Sequence, residues 1–288
     1  MRKLCFLLLL PILLMTACGG DGDTYGVTDD YGRVVEVPVA PKRVVSLSPA
    51  VTEILFALGA EDLLVGRTDF CVYPPEAQHI KSIGGISDLN LERILEVSPD
   101  LIISGSMVSK KVTDQLEKMH MKIVCIVGES RLDNLFVNIE KIGRLVGKEK
   151  EADSLNALLH ERLNSLDTPT DTEGRIPSCY YVVGFGAGGN FTAGGNTFIN
   201  DIIRMAGARN IAEEVEGWNY SQEALMMEDP DYIIVRREDS ATFCSMMPYN
   251  RLSAVRNGHV IGIESGMMDL QVPRNIDCIL YLREKMKQ

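Results

Sequence analysis

Gly184, Gly186 and Gly189 stand in the stretch GFGAGG, directly after the run YYVV. A strand that enters Gly-x-Gly-x-x-Gly can open a dinucleotide site. The glycines let the backbone approach a pyrophosphate held at the N-terminus of the following helix. The next residues argue against that chemistry. NFTAGGNTF follows Gly189, with two more glycines, and a helical pattern starts only near Thr197. The stretch reads better as a cleft loop whose glycines admit a bulky ligand. An extracytoplasmic nucleotide-dependent enzyme using this loop is the alternative from another functional class.

Other chemistry-bearing types are thinly spread. His79, His120, His160 and His259 are the only histidines, and they fall on the connecting helix, near a helix end and before strands rather than converging with carboxylates from both lobes, so no metal site is expected. Cys71, Cys125, Cys179, Cys244 and Cys278 are far apart, with no C-x-x-C. That excludes a zinc ribbon and speaks for isolated thiols rather than a disulfide framework. Arg67, Arg236 and Arg237 follow aliphatic strands. Paired arginines there suit an anionic ligand. No Ser-His-Asp set or paired catalytic carboxylates stand in a catalytic context, so the reading is a non-enzyme without a cofactor.

The elements that position these residues alternate between short apolar runs and helical patterns, the mark of an α/β fold. NLERILEVSPDLII (90–103) aligns without a gap on SQEALMMEDPDYII (221–234). Each starts on an N-cap residue, Asn90 or Ser221, carries Glu92 or Glu223 two places on, and reaches Pro-Asp before an aliphatic strand. Upstream, TEILFALGA (52–60) matches NDIIRMAGA (200–208), each closed by glycine; downstream, CIVGES (125–130) matches IGIES (261–265). Three matches in one order predict two similar α/β lobes.

The join between the lobes is also legible. RLDNLFVNIEKIGRLVG reads as a helix with Leu132, Leu135, Phe136, Ile139, Ile142 and Leu145 on one face, stopped by Gly147. A second helix, from about Lys148 to Leu166, is expected to bury Leu155, Leu158, Leu159 and Leu163 and to carry the chain across as a single connecting helix. The expected organisation is a signal peptide at 1–17, a linker and first strands at 18–41, an N-terminal lobe at 42–146, the connecting helix at 147–168 and a C-terminal lobe at 169–288.

The start of the chain reads as an export signal. Arg2 and Lys3 precede an apolar run from Leu4 to Leu14, too short to span a membrane. MTAC follows and resembles a bacterial lipobox, with Cys18 as the lipidated residue. The protein is then expected to be anchored by lipid on the outer face of the cytoplasmic membrane, or more generally on a periplasmic or extracellular face. The chain carries 29 Lys+Arg against 40 Asp+Glu, a net charge of −11. With no basic cluster, nucleic acid is excluded as a partner.

VTDDYGRVVEVPVAPKRVVSLSPAVTEILFALGAEDLLVG, YPPEA and NLERILEVSPDLII together resemble the helical-backbone substrate-binding proteins of ABC importers, which carry cobalamin, ferric siderophores or haem. LSPAVTE, YPPEAQ and LERI are most similar to the cobalamin-binding branch. The resemblance implies a monomer that holds its ligand in an inter-lobe cleft and docks on a permease dimer driven by a cytoplasmic ATPase. It implies docking through one glutamate per lobe, Glu92 and Glu223. It places Phe70 and Phe185 at ring-contact positions, and Trp218 one place from another. Two further aromatic positions of that branch are Ile86 and Gly105 here. Tyr73 completes the aromatic set, because rings give a large flat ligand wide contact with few rotamers to freeze. Arg67 and Arg236 are the residues that would favour a ferric siderophore or haem instead of a corrinoid.

Overall fold

Strands form where β-branched and aromatic residues alternate between two apolar environments. The computed structural model describes residues 23–128, 130–166 and 175–287. The expected signal peptide and Cys18 lie outside the described residues. An antiparallel hairpin, β1 (Thr24–Thr28) and β2 (Val34–Pro38), opens the described chain.

The N-terminal lobe follows as β3 (Val44–Ser46), α1 (Pro49–Ala57), β4 (Leu64–Arg67), α2 (Leu91–Glu96), β5 (Leu101–Ser104), α3 (Lys110–Lys118) and β6 (Ile123–Cys125). Two helices come next, α4 (Asn134–Leu145) and α5 (Glu149–Asn164). The C-terminal lobe is β7 (Ser178–Tyr181), α6 (Phe198–Ala206), β8 (Arg209–Asn210), α7 (Gln222–Glu228), β9 (Tyr232–Arg236), α8 (Arg237–Ser245), α9 (Ser253–Arg256), β10 (Val260–Ile263) and α10 (Arg274–Met286).

Both sheets are parallel and share one topology. The first runs β4-β3-β5-β6 and the second β8-β7-β9-β10. Strand for strand the second lobe repeats the first, with α1 matching α6 and α2 matching α7, while two helices, α8 and α9, stand between the last two strands where the first lobe has α3 alone. Gly59 and Gly207 close the matched helices α1 and α6 in the left-handed conformation. The repeated Pro-Asp has a physical cause. Asp100 accepts the backbone N–H groups of Lys42 and Arg43 at the entrance to β3, at 2.7 and 3.0 Å. Asp231 accepts the N–H of Ser178 at the entrance to β7, at 2.7 Å. Each aspartate pins the start of the neighbouring strand.

Strand alternation divides the core into three. Val44, Leu101, Ile103 and Val124 in the first sheet, with Cys179, Tyr181 and Ile234 in the second, face one continuous apolar layer. Val45, Ile102 and Ile123 turn to a core private to the first lobe, and Tyr180, Ile233 and Val235 to one private to the second. The shared layer contains the apolar faces of α1, α4, α5, α6 and α10. All six residues expected on the buried face of α4 are buried.

Helix α5 carries the chain towards the second lobe with α4 packed along it. Its burial departs from expectation at one position. Leu159 is buried and Leu155 and Leu163 are half-buried, but Leu158 is exposed. Asn156 takes the inward place instead, its Nδ2 donating to the Phe136 carbonyl at 3.0 Å. Because the lobes share one packed layer to which five helices contribute, their relative angle is set by that layer, which deforms little.

Candidate functional site

In parallel sheets the loops at the carboxyl ends of the strands form the binding crevice. Here those loops meet across the lobe boundary. A cavity of about 140 Å³ is lined from the first lobe by Ser48, Gly105 and Met107 and from the second by Phe198, Asp269 and Gln271. Ser48 is placed by the turn after β3: the Ser46 hydroxyl donates to its carbonyl at 2.9 Å, and the Thr52 hydroxyl donates to the Ser46 hydroxyl at 2.8 Å. Gly105 is required by contact, since a Cβ there would lie 2.6 Å from Ser48 Oγ. Gln271 donates from Nε2 to the Arg131 carbonyl at 2.7 Å, which ties the two lobes beside the cavity. No Lys or Arg lines this cavity among the described residues.

The second lobe adds an open recess of about 440 Å³ between the glycine loop and the start of α7, with Gly186, Gly189, Asn190 and Tyr220 among its lining. The loop is a short ribbon in which Phe191 pairs with both Gly184 and Asn219. Gly194 and Gly195 serve close backbone approach. A Cβ would fall 2.0 Å from the Val215 carbonyl oxygen and 1.8 Å from that of Glu213. The next α-helix, α6, begins only at Phe198, so no helix N-terminus follows the Gly-x-Gly-x-x-Gly directly. The dinucleotide reading of the loop fails on that geometry.

The aromatic candidates divide. Phe70 is 58% exposed, Trp218 46% and Tyr73 38%, in loops after β4 and before α7. Phe185 is half-buried, its ring edge-on to Phe243 and Tyr249 at centroid distances of 5.3 and 5.9 Å. Ile86 is buried in the first lobe's own core and offers no face to a ligand. Met107, exposed on the loop SGSM after β5, adds an apolar side chain to the cavity lining.

The two candidate arginines are committed elsewhere, which corrects the expectation placed on them. Arg67 is buried, and its guanidinium donates to the carbonyls of Ala77, Thr68 and Gln78 at 3.0, 2.9 and 3.2 Å. It ties down the loop that carries Phe70 and Tyr73. Arg236 donates to Asp239 at 3.1 Å and to the Val183 carbonyl at 3.0 Å. Burial works against its charge, but Asp269, Tyr181 and Asp239 outweigh it and hold its pKa up. Asp269 itself accepts the Tyr181 hydroxyl at 2.6 Å. Burial, and then the Asp269 carboxylate, push the Tyr181 phenol well above its ordinary range.

A residue the sequence did not single out joins the lobes at the cleft. Arg274, the first residue of α10, donates from Nε and Nη2 to Glu53 in α1 at 2.7 and 2.8 Å. Its guanidinium carbon also lies 3.6 Å from the ring centroid of Tyr73. Burial pushes the Glu53 carboxyl above its usual range, with Arg274 pulling it back. The available signal was Glu53 itself, a carboxylate inside the apolar run VTEILF that demands a buried cation.

Glu92 and Glu223 are exposed in the first turns of α2 and α7. The Asn90 side chain accepts from Arg93 N and the Ser221 hydroxyl from Ala224 N, both at 3.0 Å. A crossover helix runs antiparallel to its strands, so both glutamates stand at the carboxyl edge of their sheets, the edge that holds the cleft. No cluster of three or more metal-ligating side chains is found among the described residues. The described cysteines are free, and burial pushes Cys179 and Cys278 up to about 12, which suppresses thiolate chemistry. No helix among the described residues is long and apolar enough to cross a membrane.

Comparison with known proteins agrees with this architecture. A family model described as periplasmic binding protein matches residues 44–266. The uncharacterized ABC transporter substrate-binding lipoprotein YvrC of Bacillus subtilis is 25% identical over 96% of this chain and 94% of its own length. A cobalamin-binding protein of Halobacterium salinarum is 28% identical over 86% of this chain and 70% of its own. Among solved structures, the periplasmic vitamin B12 binding protein BtuF of Vibrio cholerae superposes with a TM-score of 0.71 at 23% identity, over 87% of this chain and 100% of that one. A periplasmic haem-binding protein of Pseudomonas aeruginosa superposes with a TM-score of 0.76 at 25% identity, over 86% and 93%.

Proposed function

The chain belongs to the periplasmic binding protein family, and from that premise we propose that it captures a corrinoid, such as cobalamin, for an ABC importer. The family consists of transport components that bind a small ligand and work with a permease, not of enzymes. The finer reading is that the corrinoid sits in the inter-lobe cleft and that Glu92 and Glu223 dock the loaded protein on a permease dimer coupled to a cytoplasmic ATPase. Lipid anchoring through Cys18 would hold it outside the cytoplasmic membrane.

One observation carries the ligand choice. The cleft floor offers the hydroxyls of Ser48 and Ser106, together with the hydrogen-bonded acid Asp269, and no cation lines it among the described residues. A ligand rimmed by neutral amides matches that lining. Haem propionates or an anionic siderophore would bring charge to a floor that holds an acid instead. The two arginines that favoured an anionic ligand are turned to carbonyls and to Asp239. The exposed rings of Phe70, Trp218 and Tyr73 supply apolar contact at the rim. A ferric siderophore or haem is the second reading, favoured by the cation of Arg274 beneath Tyr73.

Titration of purified protein lacking residues 1–18 with cyanocobalamin, haem and ferric siderophores tests the choice. Tight binding of cyanocobalamin alone supports the first reading. Binding of haem or a ferric siderophore alone replaces it with the second.

A further inference from the structure

We infer that Arg274 is a positioning residue of the ligand site: it holds the ring of Tyr73 in place from the opposite lobe, with Glu53 fixing the arginine in turn. The inference rests on the reading of Tyr73 as a ligand-contacting ring. Tyr73 lies on the first lobe's loop after β4, while Arg274 opens the last helix of the second lobe. The guanidinium carbon stands 3.6 Å from the ring centroid, within stacking distance. A planar cation there presses one face of the ring and leaves the rest of a 38%-exposed side chain uncovered.

The support beneath it is unusually rigid. Nε and Nη2 form a two-pronged pair with the Glu53 carboxylate, and both residues are buried, at 8% and 4% exposure. Such a fork fixes the plane of the guanidinium as well as its place. Stability alone does not explain the arrangement, since a buried ion pair is often no better than an apolar pair of the same size. The donor set is also incomplete. Nη1 is buried without a hydrogen-bond partner, and the nearest carboxylate, Glu264 on the second lobe's cleft loop, lies 3.8 Å away. A purely structural arginine would be expected to satisfy all its donors. Arg274 instead meets Glu53 and Tyr73 from one lobe and faces Glu264 from the other, so the position of Tyr73 is tied to how the lobes meet.

Two measurements on the full chain test this. The first needs no ligand. Tetranitromethane nitration of Tyr73, followed by peptide mass spectrometry, should run at least about threefold faster in Arg274→Ala than in the wild type, because one ring face is uncovered. The second uses whichever of cyanocobalamin, haem or a ferric siderophore binds the wild type. Tyr73→Ala and Arg274→Ala should each weaken binding on the order of tenfold, and the double variant should be no weaker than the worse single one. Arg274→Lys keeps the charge towards Glu53 but loses the planar stack. It should restore thermal stability and leave affinity reduced. Unchanged nitration, or additive losses in the double variant, overturns the inference. Binding of haem in place of cyanocobalamin overturns only the corrinoid reading, because the Arg274 comparison is then made with haem.

Discussion

Glu92 and Glu223 occupy the same place in two copies of one folded unit. Each is the second residue of a helix capped by the side chain just before it, and each helix leads into the third strand of its sheet in chain order. On the docking proposal, two equivalent acids on pseudo-symmetric lobes would meet two equivalent basic pockets on the permease. Exposed ion pairs contribute little affinity but set orientation and encounter rate. The Glu92→Ala/Glu223→Ala double variant should therefore bind ligand as the wild type does and fail in ligand uptake by cells. Lost ligand binding in the purified double variant would remove the docking role.

Arg67 should matter for folding more than for recognition. Its guanidinium satisfies three carbonyls beneath the loop that bears Phe70 and Tyr73. Arg67→Ala leaves those acceptors without donors and should cost about 2–3 kcal/mol of stability by urea denaturation. If Arg67→Ala keeps full stability and loses ligand affinity, the residue faces ligand and the assignment from geometry is wrong.

Phe70 and Phe185 should separate affinity from stability. Phe70 is mostly exposed, so Phe70→Ala should reduce ligand affinity by about 1–2 kcal/mol and leave the melting temperature unchanged. Phe185 packs edge-on against two buried rings, Phe243 and Tyr249. Phe185→Ala opens space in that cluster and should cost about 2–3 kcal/mol of stability in addition to any affinity. Calorimetric titration with thermal melts of both variants makes the comparison. Equal melting losses in the two would refute the division.

With no cation lining the cleft floor among the described residues, binding there should be insensitive to salt. Affinity for cyanocobalamin should change by less than about threefold between 50 and 500 mM salt, because screening acts on charge pairs and not on apolar or amide contacts. A loss of tenfold or more in fluorescence or calorimetric titration would reveal a charged contact and favour an anionic ligand.

The repeat was legible because its signals are local: caps, closing glycines and the Pro-Asp pair each fall within one helix and the strand after it. Their topological consequence followed, since matched elements in one order give matched sheets. The long-range pairings were not legible. Arg67 looks like a cleft cation from its place at a strand end, and only the turn at Ala77 and Gln78 shows where its donors go. Arg274 and Tyr73 lie at opposite ends of the chain, so no spacing pattern links them. Leu158 falls off the stripe that Ala152, Asn156, Leu159 and Leu163 share on α5, and Asn156 is held inward by the Phe136 carbonyl, a contact with a neighbouring helix.

Acid should weaken the protein through carboxylates that bind the sheet edges. Burial alone would raise the pKa of Asp29, but donors from the Arg33 side chain and backbone, the Arg33 charge and the Cys125 N–H outweigh it and hold it below the usual range. Asp231 follows the same balance: burial raises it, and Ser178 with Arg175 lowers it further. A carboxyl whose pKa is depressed by folding stabilises the native state above its unfolded pKa, near 4. That contribution is lost as pH falls through the lower, folded value. Asp29 also joins the opening hairpin to β6, accepting from Arg33 Nη2 at 2.6 Å and Cys125 N at 3.3 Å. Asp29→Asn should cost about 2–4 kcal/mol at pH 7, and the gap from wild type should narrow progressively below about pH 4, as the carboxyl of the unfolded chain takes up a proton, and close only as pH falls through the lower, folded value. Urea denaturation of both proteins from pH 3 to pH 7 measures the gap. A gap as wide at pH 3 as at pH 7 would show that Asp29 acts by shape and not by charge.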